Sequence, residues 1–206
     1  MLWIIPAILV SYFIGSIPTA YIFGRLLKGI DIRWVGSGNV GATNASRVLG
    51  KKIGVIILFL DILKGLLPVI FLGDFIVVRS TLNQELLRII LGLSCIIGHN
   101  WTIFLEFKGG KGIATTLGVL LGLAARVAGL KIVLIWVILT WLIAFIPFRI
   151  VSLASLISGI SLPVYVLLFK QSRIIFVSGI ILAAFIILRH KPNLKRLIQG
   201  KENRLF

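Results

Sequence analysis

The stretch IGVIILFLDILKGLLPVIFL, residues 53–72, decides the fold class. As a helix at 1.5 Å per residue it reaches about 30 Å, the thickness of a bilayer's hydrocarbon core. Only Asp61 and Lys64 interrupt its apolar character. A charge in lipid is costly unless paired, and residues three apart share a helix face, so mutual pairing is expected.

The rest of the chain has the same character. Of 206 residues, 59% are hydrophobic and 14% charged, and the mean hydropathy is +1.11. A soluble domain carries nearer a quarter charged residues. The composition therefore fits an integral membrane protein and excludes disordered, collagenous and disulfide-stapled classes. Cys95 stands alone, which forbids an internal disulfide. With no Cys/His cluster and six carboxylates, neither a bound metal nor another cofactor is expected.

Apolar runs cover Met1–Phe23, Ile53–Leu72, Leu86–Phe107, Ile113–Ala125, Ile132–Phe148, Ile150–Phe169 and Ile174–Leu188. The third is expected to break at Gly98-His99-Asn100, and the fourth to be half-length. The fold expected is an all-α, polytopic helix bundle of about seven membrane segments, five if two of the runs do not both span, forming one domain over 1–206. Met1–Phe23 carries no charge, and Arg25 and Lys28 follow it. A signal peptide has its charges first, so a retained helix with its N-terminus outside is expected. Loops 28–52 and 108–112, the 147–149 turn and the tail hold most of the Lys and Arg and are expected in the cytoplasm. Arg126, Lys131, Lys170 and Arg173 run against that pattern.

The net charge is +16, from 22 Lys and Arg against 6 Asp and Glu. Loops that face anionic lipid explain most of this excess. An anionic substrate explains the remainder, and three polar stretches are built for one.

The first stretch is Gly36-Ser37-Gly38-Asn39-Val40-Gly41-Ala42-Thr43-Asn44, with Arg47 beyond. Glycines let backbone N–H groups close around a phosphate, and Ser, Asn and Arg add donors. A turn with helix-capping Ser and Asn is the plainer alternative. It is not a Walker loop, because no Gly-Lys-Ser/Thr closes it. The second stretch joins Gly98-His99-Asn100-Trp101 to Lys108-Gly109-Gly110-Lys111-Gly112 and Thr115-Thr116. It offers another nest with two ammonium groups beside it, and His99 could equally be an interfacial histidine with its bonds satisfied. The third is Arg189-His190-Lys191-Pro192-Asn193-Leu194-Lys195-Arg196. His190 and Asn193 share a face if this segment is helical, although Pro192 favours a turn as much, and composition alone favours a basic juxtamembrane tail that touches anionic lipid.

In order and spacing these three stretches resemble the signature motifs of the bacterial acyl-phosphate:glycerol-3-phosphate acyltransferases (PlsY type). The third extends through Arg196-Leu197, Gly200 and Glu202, and Asp61-Ile62-Leu63-Lys64-Gly65 is similar to that family's second helix. The likeness covers essentially the whole chain. Thr102 stands where the family usually has proline, Glu106 where glycine is common, and Pro192 falls inside the third motif.

The resemblance implies transfer of a fatty acyl group from acyl-phosphate to the 1-hydroxyl of glycerol 3-phosphate. It implies a cytoplasm-facing site in the bacterial inner membrane, lipids as surroundings, no nucleic acid partner and a functional monomer. Ser37, Lys111 and His190 are then the expected catalytic residues. Gly36, Gly38, Asn39, Gly41, Thr43, Asn44, Arg47, His99, Lys108, Gly109, Gly110 and Asn193 are the expected substrate contacts. His99 has Phe104 five positions on, and His190 has Lys195, so neither forms a His-Asp pair at the spacing other glycerophosphate acyltransferases use. Acyl-phosphate is an activated anhydride, which leaves positioning and charge stabilisation as the main work. A transporter of phosphorylated anions is the alternative from another class, although its polar breaks would lie at the bilayer midplane. A non-catalytic lipid-binding scaffold is a third, whose motifs would tolerate substitution.

Overall fold

A computed structural model describes residues 3–205. Met1, Leu2 and Phe206 lie outside the described residues, so the first apolar run is seen from residue 3 onward. The described residues form α-helices joined by short 3₁₀ turns, one π stretch and irregular loops. They divide into two compact units, Met1–Leu123 and Ala124–Phe206, each described by itself.

In the first unit α1 (Ile4–Ser16) and α2 (Thr19–Lys28) form one broken span. Pro18 lacks an N–H and keeps Ile17 out of helical geometry, so the ladder stops there. α3 (Ala42–Leu49) leads to α4 (Lys51–Leu67). At Pro68 the ladder widens into a π stretch, Pro68–Leu72, and resumes as α5 (Gly73–Val77). A freed carbonyl cannot turn to water inside lipid. The carbonyl that Pro68 leaves without its usual N–H, Lys64 O, accepts from Cys95 Sγ at 3.0 Å, and in the widened stretch the buried Arg88 guanidinium donates to Val69 O at 2.7 Å while pairing with Asp74 at 2.5 Å.

α6 (Gln84–Asn100) packs on α1. Apolar contact gives little drive inside a bilayer, so close approach and hydrogen bonds fasten the two helices. Ser11 Oγ donates to Leu91 O at 2.6 Å, and Ser94 Oγ to Ile8 O at 2.8 Å. The helix runs through Gly98-His99-Asn100 without the expected break, because its backbone ladder stays intact to Trp101 N, which donates to Ile97 O at 2.8 Å. α7 (Ile113–Arg126) has 14 residues, or about 21 Å.

The second unit holds α8 (Leu130–Phe148), α9 (Val151–Leu168), α10 (Arg173–Arg189) and α11 (Lys191–Ile198). α9 packs against both α8 and α10. α11 bends 64° from α10. Pro192 stands in its first turn, where a missing N–H costs nothing, so the third motif is helical after all.

Among the described residues, five stretches are long and apolar enough to cross a membrane: Ile4–Lys28, Lys51–Val77, Gln84–Leu105, Leu130–Phe148 and Val151–Leu168. The bent pair α10–α11 makes a sixth if it is one span, and α7 is too short to count among them. The all-helical membrane architecture thus holds, with five to six such stretches where about seven were expected.

Thr102 and Glu106 acquire clear roles in the turn after α6. Thr102 Oγ1 donates to Ser16 O at 2.6 Å and accepts from Phe104 N at 3.2 Å, tying the turn to α1. Glu106 and Phe107 take φ of 54° and 61°, a region that disfavours side chains. Relief of that conformation, about 1–2 kcal/mol, outweighs the added chain entropy of glycine, about 0.4–1 kcal/mol, so Glu106→Gly is expected to raise the melting temperature in detergent.

Candidate active site

The first glycine loop is built on Asp31 and Asn44. Asp31 caps the 3₁₀ turn Ile32–Trp34, and its carboxylate takes Arg33 Nη2 at 2.7 Å and Arg33 Nε at 3.0 Å. These hydrogen bonds from Arg33 hold its carboxyl below the usual range. The turn directs the chain into Gly36 and Gly38, with φ of 64° and 69°. Neither position tolerates a Cβ, since one on Gly36 would overlap Asn44 Oδ1 and one on Gly38 would lie 2.9 Å from Arg33 O.

Asn44, expected as a substrate contact, spends its amide on the loop. It is buried, accepts from Ser37 N at 2.8 Å, and donates to Val35 O at 3.0 Å and Ile32 O at 3.2 Å. Gly38 N and Gly41 N likewise turn inward, to Val35 O at 3.2 Å and Asn39 O at 3.1 Å. The expected nest of N–H groups from Gly36 to Gly41 is thus smaller, because the loop uses several of its own donors to hold its shape. The amides of Gly36, Asn39 and Val40 take no part in those bonds. Ser37 and Arg47 are exposed, and Thr43 is half-buried.

The second loop packs against the end of α6. Gly109 N donates to Asn100 O at 3.2 Å, and Gly110 N to His99 O at 3.0 Å. A Cβ on Gly110 would overlap His99 Nε2 and lie 2.7 Å from Val40 O. Gly110 is therefore where the first loop, the second loop and His99 meet. Gly112, at φ 78°, faces the side-chain amide of Asn100. Lys111 is half-buried, while Lys108 is exposed beside Glu106, 3.7 Å away. Among the described residues, the buried side-chain polar atoms without a partner are those of the Asn100 amide and Thr115 Oγ1. Both residues flank the Lys111–Gly112 turn, and buried polar groups ordinarily have partners.

Beneath the loops lies the expected ion pair. Lys64 Nζ is 2.8 Å from Asp61 Oδ1, and the same oxygen accepts from Thr19 Oγ1 at 2.6 Å. His99 Nδ1 lies 3.9 Å from it. A small cavity is walled by Thr19, Lys64, His99, Val40 and Gly110, among others. Its lining joins a mid-span ion pair to both glycine loops, which residue spacing alone did not reveal.

The third motif stands in the second unit, around Glu202. Glu202 Oε1 accepts from Asn193 Nδ2 at 2.6 Å and Ser152 Oγ at 2.9 Å, and Oε2 accepts from Arg196 Nε at 2.6 Å. Burial alone would push this carboxyl up, but the bonds from Arg196, Asn193 and Ser152 outweigh it and hold it below the usual range. His190 is buried, with Nδ1 2.8 Å from Ile186 O. A carbonyl only accepts, so Nδ1 carries a proton and a neutral ring keeps its lone pair on Nε2. The organising role of Glu202 was not foreseen. Its signals were an acid placed alone in a basic tail and its position in the extension of the third motif.

Among the described residues no three His, Cys, Asp or Glu side chains cluster as a metal site would require. The described helices, long and apolar enough to cross a membrane, define the class as an integral membrane protein whose glycine loops carry cationic side chains. Comparison with known proteins makes the class specific. A family model described as glycerol-3-phosphate acyltransferase matches residues 5–200. A glycerol-3-phosphate acyltransferase 2 of Moorella thermoacetica is 44% identical over 204 residues, covering 99% of this chain and 98% of that protein. A glycerol-3-phosphate acyltransferase of Fusobacterium nucleatum is 41% identical, covering 96% of this chain and 95% of its own.

Two solved structures are similar throughout. The crystal structure of PlsY (YgiH), an integral membrane glycerol 3-phosphate acyltransferase, in its glycerol 3-phosphate form, superposes with a TM-score of 0.85 at 38% identity, covering 98% of this chain and 94% of that one. Its lysophosphatidic acid form gives 0.82 at 37% identity, with the same coverage. The chain belongs to the glycerol-3-phosphate acyltransferase family and is an acyltransferase.

Proposed function

We propose that this chain transfers a fatty acyl group from acyl-phosphate to the 1-hydroxyl of glycerol 3-phosphate. The products are 1-acylglycerol 3-phosphate (lysophosphatidate) and phosphate, in the first acylation of bacterial phospholipid synthesis. The observation that carries this reading is the meeting of two glycine loops at His99, with Arg47 on the helix after one loop and Lys108 and Lys111 in the other.

The reaction brings two phosphorylated molecules together at a membrane surface. Ser37, Asn39 and the remaining loop amides hold the acyl-phosphate, and Gly36, Gly38 and Gly41 let it approach the backbone. Arg47 and Lys111 hold the phosphate of glycerol 3-phosphate, with Thr43, Lys108, Gly109 and Gly110 bordering it. By likeness to the family's third motif, His190 and Asn193 are further contacts to glycerol 3-phosphate. The hydroxyl oxygen attacks the acyl carbon, and the bond from that carbon to the bridging oxygen breaks, its electron pair leaving on the phosphate. The hydroxyl proton passes to a substrate phosphate oxygen or to His190. Held charges and oriented donors supply the rate, since the anhydride is already activated.

The chain acts as one catalytic domain and as a monomer, in the bacterial cytoplasmic membrane. It crosses seven times if the short α7 and the bent α10–α11 each span, or five times if neither does, and with the N-terminus outside either odd number leaves all three motifs in the cytoplasm. The clustering of Lys and Arg in loops 28–52 and 108–112 and in the tail supports this orientation. A cysteine placed at Ser46 in a Cys95→Ser background is expected to resist an impermeant thiol reagent in intact cells. Labelling from outside would overturn the orientation.

The test of function is turnover by purified protein with glycerol 3-phosphate and either acyl-phosphate, acyl-CoA or acyl carrier protein donors. Acyl-phosphate alone is expected to support transfer. Arg47→Ala and Lys111→Ala should each raise KM for glycerol 3-phosphate roughly ten- to hundredfold, the loss of one charge-assisted contact. Unchanged acceptor dependence in both variants would reassign these residues.

A further inference from the structure

The Asp61–Lys64 pair has no part in the transfer proposed so far, yet Lys64 lines the same cavity as both loops. The two side chains are only 2% and 7% exposed. A buried ion pair is a weak stabiliser, because desolvation offsets most of the attraction. Its surroundings suggest another use. Lys64 Nζ has three N–H donors, and two are committed, to Asp61 Oδ1 at 2.8 Å and Ile17 O at 3.0 Å. Asp61 is itself fixed by Thr19 Oγ1 at 2.6 Å. The ammonium is thus held from two sides while it forms part of the wall shared with Val40, His99 and Gly110. The cavity, about 10 Å³, has room for about one oxygen atom.

We propose that Lys64 is a further substrate-touching residue, donating its third N–H into this cavity to an electron-rich oxygen of the acyl-phosphate, with Asp61 and Thr19 as its positioning groups. The inference rests on the reaction proposed above. During attack the carbonyl π pair moves onto its oxygen, and it returns as the bond to phosphate breaks. A donor already fixed in a water-poor site meets that charge without reorganising. Asp61 cancels the full charge of Lys64, which suits an oxygen that is neutral in the ground state and anionic only in transit. The same donor could reach a phosphate oxygen of the same molecule instead, and the kinetics separate the two.

Lys64→Met, Asp61→Asn and the double variant are compared for kcat, for both KM values and for melting in detergent. Each single change breaks the same pair and leaves one buried charge, so both are expected to melt lower, whereas the double removes the pair as a unit and should recover. If Lys64 touches substrate, Lys64→Met and the double variant lose kcat on the order of a hundredfold, and Asp61→Asn loses clearly less. An unchanged KM for acyl-phosphate assigns the donor to the carbonyl oxygen, and a raised one assigns it to the phosphate. A folded double variant turning over within about threefold of wild type would overturn the proposal. If Lys64→Met does not fold, Lys64→Gln, which can still bond Asp61 but lacks the third N–H, gives the same comparison. Failure of the wild type to use acyl-phosphate would refute the reaction itself, and it would be seen before any Lys64 variant is measured.

Discussion

The site depends on one close approach. Gly110 has no side chain, so its Cα can lie against the His99 imidazole while Val40 O, from the other loop, comes to the same point. Any Cβ there would overlap Nε2, and His99 is anchored at the end of a packed helix with little freedom to retreat. Both loops are held from behind. Asn44 draws the first onto α3 with three hydrogen bonds, and the end of α6 draws in the second through His99 O and Asn100 O.

The membrane imposes a second discipline, which the polar residues of the spans meet. Prolines interrupt the regular ladder of two spans, and polar side chains gather on carbonyls near each interruption, where lipid offers no partner. Lys64 takes Ile17 O beside Pro18, and Arg88 takes Val69 O beside Pro68. Each cation then needs an anion, and Asp61 and Asp74 are there. The few acids in the chain are thus concentrated at structural joints: Asp31 builds the first loop, and Glu202 gathers Ser152, Asn193 and Arg196. With carboxylates so employed, Arg, Lys and N–H donors are what remains to face phosphate.

Much of this was legible in the sequence, and for identifiable reasons. Helix positions followed from apolar runs of lipid length, which admit few other structures. The glycine loops were visible because few backbones need Gly36, Gly38 and Gly112 at positive φ. The Asp61–Lys64 pair followed from helix spacing and the cost of a lone charge in lipid. Contacts distant in sequence were not readable. Nothing local announces that Thr19 reaches Asp61, 42 residues away, or that Ser152 reaches Glu202, 50 away. The continuity of α6 through Gly98 was also hidden. There the glycine serves packing, since a Cβ would strike Tyr12 O on α1, and not a break in the helix. Asn44 looked like a ligand donor because its chemistry fits both roles, and only its burial distinguishes them.

The central claim is that the two glycine loops form a working site only through their contact at Gly110. The most direct measurement is acyl transfer to glycerol 3-phosphate by Gly110→Ala, beside its melting curve in detergent. One methyl group there must push His99 or Val40 aside, and a misplacement on the order of 1 Å costs roughly a hundredfold in rate. A folded variant with turnover reduced by about that factor or more is the predicted result. Turnover within about threefold of wild type would contradict the account.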